Sequence, residues 1–365
     1  MAEQIIVGAG LSGLVAAITL ARKGYAVRVL EKYRTVGAQP ERWPMVDVTP
    51  MIPREMSRYL GIPIGEPQVK DCSLLNGYFW GEAFKVPIER SNLKVVERGP
   101  RATGLDGYLL EIAEAEGVKV EFEQAVLGQA AIAKLPADTI IATGLYAETF
   151  DALNIPYAMG WCYGAKGPGD REAEAAIYFG DYTNDYAYWS NINGIESVLF
   201  FTRNPIRDED LDTFTRELEA TEGIKVDDWL YGYGPTPTAR LTNPRLFASD
   251  KILAGTISGM MEPFVLFGVH GALVSGKIAA MAVEDRAAGY SEFKRQLTTW
   301  KRMLLNRKVY NMMPTGMRRR AVVGLNRVLG STGSAGATML GTAFHAVPGY
   351  MWQKKMEGRA LLPGE

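Results

Sequence analysis

Three glycines close to the amino terminus carry the clearest chemistry in this sequence. Gly8-Ala9-Gly10-Leu11-Ser12-Gly13 follows a short apolar run, Gln4–Val7, and leads into a helical pattern with Leu14, Ala17, Ile18, Leu20 and Ala21 on one face. Gly8 permits a tight turn from strand to helix, Gly10 leaves the backbone open to an approaching diphosphate, and Gly13 lets the helix pack close to the sheet. The start of the helix, with Leu11 and Ser12, then turns free N–H groups and the positive end of its dipole toward phosphate. Gly24 ends the helix, Tyr25–Leu30 reads as a second strand, and Glu31 closes it. A carboxylate there accepts hydrogen bonds from a ribose diol, and Lys32 stands next to it. Strand, helix, second strand and acidic end fall in register, which favours a dinucleotide site over a chance glycine turn. NAD and FAD both remain open on these residues alone, because Glu31 suits either ribose.

Such a site needs a parallel sheet flanked by helices, and the chain has room for it. Its 365 residues allow a large core and more than one structural unit. Hydrophobic residues make up 47% and charged residues 22%, the balance of a soluble globular protein. A net charge of −1 gives no reason to expect nucleic acid as a partner. Cys72 and Cys162 form no CxxC pair, and His270 and His345 are the only histidines, so neither a disulfide framework nor a metal centre is expected. The two cysteines read as unrelated core or loop residues, with a redox pair as the alternative. No basic leader precedes Ile5–Val7, and no segment reaches about 18 consecutive apolar residues. A cytoplasmic protein without a cleaved signal or membrane span is the expectation.

Three further segments carry patterns of their own. Asp138-Thr-Ile-Ile-Ala-Thr-Gly144 reads as a buried strand ending in Ala142, Thr143 and Gly144. Lys251-Ile-Leu-Ala-Gly255 is another, followed by Thr256. Glu262-Pro263-Phe-Val-Leu-Phe-Gly268-Val269-His270-Gly271 leads into a helix over Ala272–Arg286. With the opening fingerprint, these segments resemble the flavoprotein group that includes glutathione reductase, the aromatic hydroxylases and the geranylgeranyl reductases. The resemblance implies FAD as cofactor. It also implies that the helix after Gly268 points its N-terminus at the flavin pyrimidine, where its dipole stabilises negative charge on the reduced ring.

The likeness is strongest to the geranylgeranyl reductase branch and covers most of the first 290 residues. Arg98-Gly-Pro-Arg101 before Leu105-Asp106-Gly-Tyr-Leu-Leu110 is similar to that branch's helix start, where an arginine meets the FAD phosphates. Arg42 and Val126 complete the candidate cofactor-binding residues. Tyr186-Ala-Tyr188-Trp189 resembles the branch's aromatic substrate-cavity signature, and Leu253-Ala-Gly255-Thr256 its Leu-x-Gly-Asp motif. There are departures. Thr256 stands where the family has an aspartate on the flavin ribityl chain, and its hydroxyl offers only an uncharged hydrogen bond. Thr143 replaces the aspartate of the hydroxylases' Asp-Gly motif. Val36–Asp47 lacks the cysteine that archaeal reductases carry near the flavin. Gly232-Tyr-Gly234-Pro-Thr-Pro237 is broken by proline and cannot open a second dinucleotide site. Electrons are therefore expected from a carrier protein or from a transiently docked NAD(P)H.

The expected fold class is α/β. A Rossmann-type FAD-binding domain is discontinuous over 1–50, 92–155 and 238–290, and a substrate domain with an antiparallel sheet takes 51–91 and 156–237. A basic helical region follows over 291–365. Period-two alternation predicts strands at Tyr157–Ala165, Ala175–Gly180, Tyr186–Ser190 and Glu196–Arg203, with a helix over Asp208–Glu222 covering them. Tyr178, Tyr186, Tyr188 and Trp189 are candidates to line an apolar cavity for a hydrophobic substrate, with ordinary sheet core as the competing explanation. In the tail, Lys294, Arg295, Lys301, Arg302, Arg307, Lys308, Arg318, Arg319, Arg320 and Arg327 occur without an intervening acid. Apolar Trp300, Met303, Leu304, Val309, Met312, Met313 and Met317 lie among them. This suggests amphipathic helices broken at Pro314, suited to an anionic membrane surface on the cytoplasmic side, to an acidic partner or to a phosphorylated substrate. A solvated face on a helical cap is the plainer explanation.

The reaction implied is two-electron transfer between flavin N5 and a carbon of a hydrophobic isoprenoid or lipid-like substrate, at a C=C bond. Reduction of that bond also needs a proton for the second carbon. His270, Glu262, Tyr188 and Tyr186 are the candidate donors. A flavin monooxygenase, an electron-transfer flavoprotein serving membrane quinone, and a protein that keeps the site without the chemistry are the alternatives.

Overall fold

The computed structural model describes residues 3–37, 44–86, 88, 92–330 and 343–357. The helix after the glycine turn, Leu11–Ala21, is buried on almost every side. It lies between a sheet and a second helix, Val269–Glu284, and small residues make that crossing tight. A Cβ on Gly276 would stand 2.4 Å from the carbonyl oxygen of Ser12. The sheet beneath has six strands in the order Phe247–Ala248, Lys251–Leu253, Ile140–Ile141, Gln4–Val7, Val27–Leu30 and Lys119–Glu121. All neighbours run parallel except at the Phe247–Ala248 edge. Its central strands are covered on both faces, which explains why Ile5–Val7 and Ile140–Ile141 are unbroken apolar runs.

A second sheet has seven strands in the order Leu230–Thr236, Ala158–Pro168, Ile195–Thr202, Ala187–Ile192, Glu174–Phe179, Leu74–Phe79 and Glu82–Lys85. Neighbours are antiparallel except for the Glu174–Phe179 and Leu74–Phe79 pair. Leu230–Thr236 contains Pro235, which an edge strand tolerates. Helix Asp208–Glu222 covers one face, packing Phe214 and Leu218 on Tyr178, Trp189 and Phe200. Alternation sends Tyr188 and Phe201 to the other face, where Tyr186 joins them. A three-stranded sheet of Met45–Pro50, Leu93–Arg98 and Val69–Asp71 connects with this larger one: Val46 N donates to Ser197 Oγ at 2.6 Å, and Ser190 Oγ donates to Val46 O at 3.1 Å.

The helix expected over Ala272–Arg286 begins earlier, at Val269, with Gly268 as its N-cap residue, and stops at Glu284. It stops there because Asp285 caps the next helix, Arg286–Gln296, accepting from the amides of Ala287 and Ala288. Trp300–Met312 and Thr315–Gly330 follow, separated at Pro314, and then Tyr350–Met356. The glycine-rich stretch Ser331–Gly341, expected as a loop, lies outside the described residues. No helix among the described residues is long and apolar enough to cross a membrane.

Candidate active site

A cavity of about 1000 Å³ opens between the carboxyl ends of the parallel strands and the free face of the seven-stranded sheet. Ligands of doubly wound sheets bind at those strand ends. Two helices begin at its wall, Leu11–Ala21 after Gly10 and Val269–Glu284 after Gly268, and neither has a side-chain cap. Their positive ends therefore face the cavity without a side-chain cap. The glycines of the first turn divide by task. A Cβ on Gly10 would meet nothing within 4 Å, so the space beside it is open. A Cβ on Gly8 would lie 2.5 Å from Ala142 O, and one on Gly13 would lie 1.9 Å from Gly8 O.

Glu31 is buried at the end of the second strand. Its Oε2 accepts from Ala9 N at 2.7 Å and its Oε1 from Tyr33 N at 2.9 Å, which leaves lone pairs for sugar hydroxyls. Burial raises its pKa, opposed by the amides of Tyr33 and Ala9. Lys32 sits 4.4 Å from the ring centroid of Tyr146 on the same wall. Leu11 and Ser12 from the first turn, Arg98, Val126, the Ala142-Thr143-Gly144 strand end, Gly255 with Thr256, and Gly268 with Val269 also face the cavity. The Thr143 hydroxyl is buried without a partner, as a hydrogen bond reserved for a ligand would leave it. Gly13 serves packing, and Arg42 lies outside the described residues. Arg101 is directed elsewhere: it pairs with Glu97 at 3.2 Å and donates to Asn193 O at 3.3 Å.

The far wall is aromatic. Tyr186, Tyr188 and Phe201 stack over it, with ring centroids 5.1–6.4 Å apart. The Tyr186 hydroxyl donates to Val265 O. The Tyr188 hydroxyl reaches Asp47 Oδ1 at 3.0 Å. Arg98 holds Asp47 at 3.0 Å and grips Asp106 with two bonds of 2.8 and 3.0 Å. Burial pushes the Tyr188 hydroxyl well above its usual pKa, and Asp47 adds to the effect. For Arg98 burial works toward deprotonation, but Asp106 and Asp47 more than offset it.

Four expectations need correction. Tyr178 and Trp189 do not line the cavity; strand alternation places them on the opposite face, against helix Asp208–Glu222. His270 lies within the Val269–Glu284 helix and is fully buried, its Nδ1 2.8 Å from Pro348 O. Burial lowers its pKa to about 4, so it is neutral at pH 7, and it does not line the cavity. Glu262 is also buried, and its two oxygens accept from Phe264 N at 2.8 Å and Val265 N at 2.6 Å. It shapes the loop that carries Val265 and Gly268, and burial raises its pKa to about 7. Sequence reasoning passed over Asp47, Asp185 and Arg203, all of which line the cavity. Asp47 had one signal, a carboxylate between two valines in a short strand.

A model of the NAD(P)-binding Rossmann-like domain matches residues 6–45, the glycine turn and its surroundings. Among curated proteins, none matches the chain by sequence. Solved structures do. A geranylgeranyl bacteriochlorophyll reductase-like protein from Thermoplasma acidophilum superposes with a TM-score of 0.67 at 13% identity, over 89% of this chain and 92% of its own. PnpA, a p-nitrophenol 4-monooxygenase from Pseudomonas putida, gives 0.60 at 12% identity over 99% and 100%. The FAD-dependent monooxygenase pqsL of Pseudomonas aeruginosa, so described as probable, gives 0.57 at 16% identity over 88% and 99%. The chain thus has the fold that a geranylgeranyl reductase-like protein shares with flavin-dependent monooxygenases, with a Rossmann-like sheet and a largely antiparallel one.

Proposed function

We propose that this chain is an FAD-dependent oxidoreductase that moves two electrons to or from a carbon of a hydrophobic, isoprenoid or lipid-like substrate, at a C=C bond. One observation carries the reading: a single cavity joins a glycine cradle and two uncapped helix N-termini to an apolar aromatic wall. The residues present fit the cofactor. The Gly10 side of the first helix would hold the diphosphate, Glu31 the adenosine ribose, and the Thr143 and Thr256 hydroxyls the ribityl side. The N-terminus after Gly268 would meet the electron-rich edge of the flavin. FAD, when bound, supplies the two-electron chemistry.

The protein's own part is orientation, exclusion of water and proton delivery. Tyr186, Tyr188 and Phe201 offer a flat apolar bed for an alkene. Tyr188 is the proton donor in this scheme, since it lines the cavity while His270 and Glu262 do not, and the Tyr186 hydroxyl is taken up by Val265 O. Asp47, held by Arg98, orients that hydroxyl. Electrons would come from a carrier protein or a transiently docked NAD(P)H. The outer face of helix Trp300–Met312 supports a peripheral position on an anionic membrane, from which such a substrate would enter.

The test is spectroscopic. The purified protein should carry flavin absorbance, and the photoreduced protein should be reoxidised by a prenyl lipid without oxygen. Tyr188→Phe should slow that reoxidation by about 10²-fold while leaving FAD bound. A colourless protein that does not take up FAD refutes the reading. The monooxygenase neighbours favour a second one, oxygen insertion. NADPH oxidation that requires both oxygen and an aromatic substrate would establish it in place of the first.

A further inference from the structure

The cavity does not end at the aromatic wall. Tyr188 stands opposite Ile177 of the neighbouring strand, and Ala175, two residues along that strand, stands opposite Leu75 of the next. Ile177, Ala175 and Leu75 all line the cavity, which therefore runs on across two strands, about 10 Å past Tyr188. In the opposite direction it crosses two strands to the edge strand Leu230–Thr236, where Tyr231 and Tyr233 line it at 49% and 66% exposure. That exposed side is its mouth. The other side is a blind end: Leu75, Ala175 and Ile177 are buried, as are Leu93 of the three-stranded sheet and Phe344, which also line the cavity. Leu93 belongs to the same end, since its carbonyl accepts from Cys72 N at 3.0 Å, three residues before Leu75. Phe344 packs on Tyr350, with ring centroids 6.5 Å apart, and the Tyr350 hydroxyl accepts from Asn92, the neighbour of Leu93.

The five side chains at the blind end are hydrocarbon only. A water molecule there finds no side-chain partner among them, and a polar or charged head group would lose its hydration without compensation. The space suits the terminal part of an apolar chain. Size decides how much of one it holds. Ala175 is the smallest of the five, set between Leu75 on one side and Ser190 on the other. A larger side chain at this position would occupy room that the cavity now has, and a close-packed wall cannot draw back to restore it without cost.

We propose that Ala175 is a specificity-determining residue: its methyl group leaves the blind end open to the last unit of an apolar chain, and Leu75 and Leu93 stop the chain there. The span from Tyr188 to that stop then fixes how much chain extends beyond the reacting bond. The assignment of this chain to the substrate rests on the function proposed above, but the fit of a chain to the blind end does not depend on bound flavin.

Calorimetric titration of the protein as purified, with geraniol, farnesol and geranylgeraniol, tests this without relying on turnover. Each added isoprene unit that the cavity buries should raise the affinity of the wild type at least about tenfold. Ala175→Phe should leave geraniol binding unchanged and abolish the gain from farnesol to geranylgeraniol. Leu93→Trp fills the same space from the smaller sheet and provides the same readout should Ala175→Phe misfold. Equal affinity of the wild type for the three alcohols would overturn the proposal. So would a folded Ala175→Phe protein that keeps the full rise, or one that loses all three alcohols alike, because the residue would then not act at the end of the chain. A colourless protein that shows the rise, and loses its last step in the variant, would refute the flavin reading and leave the length limit standing.

Discussion

Gly10 and Gly13 lie three positions apart and answer to different constraints. Open space surrounds the missing Cβ of Gly10, whereas that of Gly13 would overlap the Gly8 carbonyl. Gly10→Val should therefore fold but exclude the diphosphate, giving a soluble protein with little flavin absorbance. Gly13→Val should fail to accumulate as folded protein, because backbone cannot yield as a side chain can. Circular dichroism and bound-flavin absorbance on both variants check this. Glu262 and His270 make a second pair. Glu262 titrates near 7 in the fold against its usual 4.5, so it favours the folded state below 4.5 and loses that benefit as pH rises to about 7. His270 titrates near 4 against its usual 6.5, so its contribution is present above 6.5 and is lost as pH falls to about 4. The two slopes oppose each other between pH 4.5 and 6.5. Glu262→Gln leaves the histidine slope unopposed, and the variant's stability should fall by about 3 kcal/mol between pH 6.5 and 4 from His270 alone. Urea unfolding of wild type and variant across this range gives the comparison; parallel profiles would contradict it.

Helix Trp300–Met312 shows how one element serves two environments. Leu304, Arg307, Lys308 and Asn311 border the cavity, while Leu305, Val309 and Met312 are 49%, 55% and 84% exposed. Met317 of the next helix is 55% exposed, and Lys301, Arg302, Arg319 and Arg320 on the same two helices are exposed as well. Exposed apolar side chains with exposed cations on the same helices would suit an anionic bilayer surface, each basic residue near it contributing about 1 kcal/mol. Replacing Leu305, Val309 and Met312 by serine should reduce co-sedimentation with phosphatidylglycerol vesicles by about tenfold, and about 0.5 M salt should do likewise in the wild type. The thermal midpoint should hardly change, since these side chains are exposed. Binding that survives both treatments would remove this face from consideration.

At the scale of the whole molecule, the cavity lies between two sheets, so a bound dinucleotide would touch both. Ligation at 100 times the dissociation constant adds about 2.7 kcal/mol to stability. FAD-loaded protein should therefore melt several degrees above the stripped protein, and Gly10→Val should show no such gain. Hydrogen exchange should slow on both walls, at the Gly8–Ser12 turn and along Ala187–Ile192. Protection confined to the turn would mean that the ligand stops short of the aromatic wall.

The sequence by itself determined the elements whose signals are local. The glycine turn, the buried strands Gln4–Val7 and Ile140–Ile141, and the helix over Asp208–Glu222 follow from periodicity and from residues that permit one backbone path. The expectation that Ala142–Gly144, Gly255–Thr256 and Gly268–Val269 lie near the glycine turn came from the resemblance to flavoproteins, and all of them line the same cavity. Only the tertiary structure decided which side chains reach the cavity. Tyr188 and Trp189 are adjacent in sequence and face opposite ways, and the choice depends on which face the Asp208–Glu222 helix covers. His270 and Glu262 flank the cavity in sequence yet turn inward, since burial and backbone partners hold them there. Arg203, Arg307 and Arg318 are separated by more than a hundred residues of chain at the extremes, and no spacing rule links them. Their charges act on one another only because a strand end and two helices pack around Asn184 and Asp185.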